Sequence, residues 1–125
     1  MESIHIEETA ITPEIKFNSQ TGFFSFKGRS IPENPKEFYS QIIEWLIEYY
    51  KSPNEITEFW FEMEYVNSGS SRFILEILRR VKQYRDEGSN TVIKWLYEED
   101  DESIQGLGEY YRDLIQIPIE LIQVI

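Results

Sequence analysis

The sequence predicts a single α/β domain with a mixed, partly parallel sheet of about four to five strands and about three helices packed mainly on one side of it. Stretches with apolar residues at every second position alternate with stretches where they recur every three to four, in the order β β α β α β α β. Strands joined through helices favour parallel pairing, and strands with one apolar and one polar face favour helices on one face only. The chain has 125 residues, 41% hydrophobic and 15% aromatic, enough for one core and too few for a second. One domain, residues 1–125, that folds alone is therefore expected.

Residues 1–31 carry short alternations, Ile4/Ile6, Ile15/Phe17 and Phe24/Phe26, broken by Pro13, Asn18-Ser19-Gln20 and Gly22. They read as an extended N-terminal segment followed by a hairpin-like pair of strands. Asn34-Pro35-Lys36-Glu37 offers an Asn N-cap, Pro at the first helical position and Glu in the capping-box place. The helix that follows lays Phe38, Ile42, Trp45, Leu46 and Tyr49 on one stripe and ends before Pro53. Residues 56–67 switch to a period of two, with Phe59, Phe61, Met63 and Tyr65 on one face and Glu58, Trp60, Glu62 and Glu64 on the other. Ser68-Gly69-Ser70-Ser71 interrupts, and Phe73, Ile74, Ile77, Leu78 and Val81 resume helical spacing as far as Gly88, a C-cap. Residues 91–97 form a further strand. Ile104, Leu107, Tyr111 and Leu114 mark a weaker helix that contains Gly106 and Gly108. Residues 117–125 close the chain as a strand whose Pro118 suits an edge position.

Twelve Lys and Arg against 23 Asp and Glu leave a formal charge of −11. Nucleic acid and anionic membrane surfaces are poor partners for such a chain, because a phosphate backbone is bound through a positive footprint. Its longest apolar run is three residues, against roughly 18 for a membrane span. Glu2, Glu7 and Glu8 stand where a signal peptide would be basic and then apolar. With no Cys, and so no disulfide or thiolate site, the expectation is a soluble cytoplasmic protein. The lone histidine, His5, is terminal, and phosphate loops, nucleophile elbows and zinc motifs are missing. No metal site, cofactor or catalytic residue is assigned. Glu98-Glu99-Asp100-Asp101-Glu102 lacks the alternation and central Gly of a calcium loop and reads as a solvated acidic turn.

The second helix departs from this acidic background, with Arg72, Arg79, Arg80, Lys82 and Arg85 among the 12 cations. It is either a docking face for an acidic partner or phosphate, or a solvent face opposite the apolar stripe. At its start one of Ser68, Ser70 and Ser71 serves as N-cap. A phosphate on such a hydroxyl would meet free backbone N–H groups and the positive end of the helix dipole, with Arg72 about one turn away.

Thr12-Pro13-Glu14-Ile15, Gly28-x-Ser30-Ile31-Pro32-Glu33-Asn34, Tyr65-Val66-Asn67-Ser68 and Ser70-Ser71, together with Trp45, Trp95 and Pro118, resemble the SiaC family of bacterial regulatory phosphoproteins over nearly the whole chain. The resemblance implies a fold similar to anti-sigma-factor antagonists (STAS-like) and no catalytic activity. It also implies a partner-switching role in cyclic di-GMP signalling. A kinase phosphorylates a Thr at the strand-to-helix turn, a phosphatase removes the phosphate, and the bare form binds and activates a diguanylate cyclase. The family motif is similar to Tyr-x-Asn-Thr-Ser-Ser, which places Ser68 at the phosphoacceptor, with Ser for Thr and with Gly69 where Ser is usual. Ser70 is the alternative acceptor. Asn67, Ser68, Gly69, Ser70, Ser71 and Arg72 form the implied partner-binding segment. Two other classes stay open: a constitutive interaction scaffold of the same fold, and a small enzyme using carboxylates, raised by buried, pKa-shifted carboxylates around a deep pocket and lowered by a shallow surface with an exposed Ser68.

Overall fold

A computed structural model describes residues 1–124. In chain order its elements are β1 (Ile4–Ile6), β2 (Glu14–Asn18), β3 (Phe23–Ser30), α1 (Pro35–Tyr49), β4 (Thr57–Val66), α2 (Ser68–Asp86), β5 (Thr91–Glu98), α3 (Glu102–Ile115) and β6 (Glu120–Val124). The strands make one six-stranded sheet in the order β1-β2-β3-β4-β5-β6. β1, β2 and β3 pair antiparallel; β3, β4, β5 and β6 run parallel. Parallel neighbours need a crossover, and such crossovers are right-handed. Because the strand order never reverses, α1, α2 and α3 all fall on the same face. That is the one-sided architecture the alternating strands predict.

The sheet has one strand more than the sequence suggests. β1 is three residues long, too short to establish a period, and exists through its pairing with β2, Ile4 opposite Phe17 and Ile6 opposite Ile15. The Trp45 indole N–H fixes the segment before it by donating to the Glu2 carbonyl at 3.0 Å. At the opposite edge β6 follows Pro118, as expected; Ile125 of the predicted last strand lies outside the described residues.

Between sheet and helices lies an aromatic core in which Phe17, Phe24, Phe26, Phe59, Phe61 and Trp95 are all but fully buried. Stacked pairs such as Phe26–Phe61, 4.5 Å apart, tie neighbouring strands together. α1 buries Tyr39 and Ile43 along with Ile42, Leu46 and Tyr49, while Phe38 and Trp45 of the expected stripe are only partly buried. Its cap is as read, with Asn34 Oδ1 accepting from the Glu37 amide and Pro35 at N1. α2 ends one residue earlier than predicted. Glu87 is its C-cap, and Gly88 follows at φ +110, with the Gly88 and Ser89 amides donating to the Arg85 and Tyr84 carbonyls.

Two glycines in α3 have opposite reasons. Gly108 faces the sheet: a Cβ there would sit 2.5 Å from Trp95 Cδ1 and 2.7 Å from Leu121 Cδ2, so its bare backbone is what lets α3 seat on β5 and β6. Gly106 faces open space. Gly108→Ala is expected to destabilise the fold by about 1–3 kcal/mol through overpacking. Gly106→Ala should stabilise it by about 0.5–1 kcal/mol by removing backbone entropy from the unfolded chain. Urea denaturation of the two variants checks both signs.

Candidate functional site

The chain leaves the sheet at the end of β4 and enters α2 within one residue. Just before this handover a β-bulge shifts the β3–β4 register between Gly28 and Arg29, so that Gly28 pairs with Met63 but Arg29 pairs with Tyr65. The extra residue, Glu64, reverses the alternation. Tyr65, expected on the buried face with Phe59, Phe61 and Met63, is instead 57% exposed beside the start of α2.

Asn67, rather than any of the serines, is the N-cap: its Oδ1 accepts from the Ser70 amide at 2.8 Å, and the Ser71 amide donates to its carbonyl at 2.9 Å. Asn is as good a cap as Ser, and taking that place leaves the serine side chains free for other uses. Ser68 is the first helical residue and is exposed. Gly69 is half-buried, with Pro35 Cγ 3.2 Å from where its Cβ would stand; the start of α1 packs against the start of α2 there. Ser70 is fully buried and accepts a 2.8 Å hydrogen bond from Ser30 Oγ, which in turn lies 2.6 Å from the Tyr39 hydroxyl. Since Ser30 has one proton and gives it to Ser70, Tyr39 must donate to Ser30. Ser71 Oγ is 2.6 Å from the Tyr111 hydroxyl, which donates to the Ser71 carbonyl at 3.2 Å. Arg72 is exposed and, with Pro35, Gly69, Phe73 and Glu76, lines a shallow groove.

The first turn of α2 is thus held from three sides by hydroxyl groups on β3, α1 and α3. Burial pushes the Tyr39 hydroxyl up to about 12 and raises that of Tyr111 as well, so both are neutral donors at physiological pH. Tyr39 and Tyr111 lie far from Ser70 and Ser71 in sequence and carry no local motif; Ser30 stands in one of the short segments that carry the family resemblance. The network keeps Asn67 and Ser68 in fixed positions on the surface.

Among the described residues, the fully buried polar side chains are Ser30, Thr57, Ser70 and Thr91, all hydroxyls rather than carboxylates. The acids of the open sheet face stand in cross-strand pairs, Glu62 with Lys27 and Glu64 with Arg29. Glu58 is held below the ordinary carboxylate value, first by its hydrogen bond from Lys94, the reverse of what a general acid requires. No group of three or more His, Asp and Glu able to hold a metal occurs among the described residues, and none of the described helices is long and apolar enough to cross a membrane. Open α/β sheets form ligand crevices where the strand order reverses; the parallel part of this sheet has no reversal.

The site is therefore an exposed serine on a helix start held from three sides, with the neighbouring hydroxyls turned inward, on a one-sided sheet. The chain belongs to the SiaC family of regulatory phosphoproteins, whose family model matches residues 6–124. It is 27% identical over 121 residues to an uncharacterized protein of Pseudomonas aeruginosa strain UCBPP-PA14, covering 97% of this chain and 96% of that one. The crystal structure of apo-SiaC from P. aeruginosa superposes with a TM-score of 0.89 at 27% identity, covering 98% and 99% of the two chains. A chain in the crystal structure of the diguanylate cyclase SiaD in complex with its activator SiaC, also from P. aeruginosa, superposes with a TM-score of 0.91 at 26% identity, covering 97% and 99%.

Proposed function

We propose that this protein is a non-catalytic partner switch of the cytoplasm: a kinase phosphorylates Ser68, a phosphatase restores the hydroxyl, and the bare form binds and regulates a diguanylate cyclase. The observation that carries the choice of residue is the contrast along one helical turn. The Ser68 hydroxyl is exposed, whereas that of Ser70 is fully buried against Ser30 and that of Ser71 is engaged by Tyr111. A kinase has to bring the phosphorus of a nucleoside triphosphate in line with the attacking oxygen, which an exposed hydroxyl permits and a buried one prevents. The burial of Ser70 favours Ser68 over it as the acceptor. The cyclase as partner is supported by the SiaD–SiaC complex formed by a structural relative.

Phosphate on Ser68 suits the fold, because anions are favourable in the first turn of a helix. The switch therefore acts on what docks rather than on whether α2 forms. Intact mass and site-resolved phosphopeptide mapping of the protein isolated from its own cells should place one phosphate on Ser68 and none on Ser70. In parallel, the bare protein should raise product formation by one of the purified diguanylate cyclases of the same genome. A chain that stays unmodified across growth conditions would instead make it a constitutive scaffold.

A further inference from the structure

The cations of this protein are unevenly neutralised. Seven of the twelve Lys and Arg lie within 4 Å of a carboxylate: Lys16, Lys27, Arg29, Lys51, Arg80, Lys94 and Arg112. Among the described residues the other five are Lys36, Arg72, Arg79, Lys82 and Arg85, and four of these are on α2. Helical spacing sets Ser68, Arg72 and Arg79 along its outer side, opposite the buried Ile74, Ile77, Leu78 and Val81. In a chain of net charge −11, this is where positive charge is left uncompensated.

The neighbouring helix adds apolar surface. On α3, Gly108 turns toward Leu121 of β6 and Tyr111 toward Ser71 of α2. Tyr110 and Leu114 lie beyond Tyr111, on the side away from Gly108 and bordering α2, and they are 54% and 44% exposed. A cationic ridge beside exposed aromatic and aliphatic side chains is complementary to a surface that is acidic and partly apolar.

We propose that the outer face of α2 and the adjoining Tyr110 and Leu114 of α3 form one docking surface for an acidic, partly apolar segment of the effector, and that Arg72 is the contact the switch withdraws. While Ser68 is bare, Arg72 pairs with the partner. Once Ser68 is phosphorylated, Arg72, one helical turn on, pairs with the phosphate, and the partner meets an anion where it had a cation. This rests on the partner-switch reading above and specifies its surface.

The test uses the full-length protein, bare or with phosphoserine incorporated at position 68, and the cyclase of the same genome that the bare protein stimulates. Arg72→Gln should weaken binding of the bare protein about tenfold, and Arg79→Glu about thirtyfold, with wild-type binding falling steeply as salt is raised. Leu114→Ser should weaken it about tenfold without changing the salt slope. Lys16→Ala, on β2 and on the sheet face opposite the helices, should leave it within twofold. Phosphorus NMR of the phosphorylated protein should show the phosphate losing its second proton at lower pH with Arg72 present than in Arg72→Gln. If wild type binds while Arg72→Gln and Arg79→Glu bind equally well, the surface is wrong and the partner switch stands. If the phosphate titrates identically with and without Arg72, the withdrawal of Arg72 is wrong. Failure of the bare wild type to bind any cyclase overturns both readings.

Discussion

Protein carrying phosphate on Ser68 is expected to bind its cyclase at least about a hundredfold more weakly than the bare protein, while Ser68→Ala binds within about twofold of wild type and Ser68→Asp falls between. The phosphate brings about −1.5 to −2 charges to a hydroxyl that is exposed on the first turn of α2. Covering that charge with an acidic partner leaves it desolvated beside like charge, which costs several kcal/mol, and each 1.4 kcal/mol is tenfold in affinity. Ser68→Ala removes only an exposed hydroxyl. Ser68→Asp supplies one charge on a shorter side chain and cannot span the same distance toward Arg72. Titration calorimetry against the cyclase, with product formation as a second readout, separates the four forms. Circular dichroism should show the same helix content in all of them, because the anion suits the helix start. Equal affinity for bare and phosphorylated protein would remove Ser68 from the mechanism.

The parts of this molecule legible in the sequence are those set by local period and local caps. Asn34-Pro35 opens α1 as read, Phe59, Phe61 and Met63 face the core, and β6 takes an edge after Pro118. What was not legible depends on a second segment of chain. β1 exists because β2 pairs with it, and Tyr65 turns outward because β4 gains one residue against β3 at Gly28, which no alternation within residues 56–67 can register. Leu114 has helical spacing with Tyr111 yet lies exposed, since Gly108 brings α3 so close to Trp95 that Ile104, Tyr111 and Ile115 fill the contact. At the site, sequence brings Asn67 to Arg72 together because they are adjacent. It does not show which serine points where. That is decided by Ser30, Tyr39 and Tyr111, between 9 and 40 residues away from their partners and unmarked by any spacing. The N-cap shows the same limit: Ser and Asn cap equally well, so a run of Asn67, Ser68, Ser70 and Ser71 leaves the register open by local criteria alone.

Those tyrosines also set how the protein fails in alkali. The Tyr39 hydroxyl is pushed up to about 12 by burial, and burial raises Tyr50 and Tyr111 too. In the unfolded chain each titrates near 10. Raised folded values mean that their contribution to stability is complete below about pH 10 and is lost as pH rises toward the folded values. Each buried tyrosine then costs about 1.4 kcal/mol per pH unit, and the three together cost about 4. For a net stability at the lower end of the usual range, about 5–8 kcal/mol, unfolding is expected between about pH 11 and 12, with no loss from these groups between pH 7 and 9. Urea midpoints from pH 8 to 11.5, with tyrosinate absorbance recorded alongside, measure the slope. Tyr39→Phe, Tyr50→Phe and Tyr111→Phe should each remove about a third of it, and a slope unchanged in any of these variants would exclude that residue. Tyr39 and Tyr111 carry more than stability. An ionised Tyr39 has no proton for Ser30, so Ser30 must turn its own toward the phenolate and release Ser70; an ionised Tyr111 likewise drops the Ser71 carbonyl. Both losses fall on the first turn of α2. The same two phenols that limit the fold in alkali hold Ser68 in place at neutral pH.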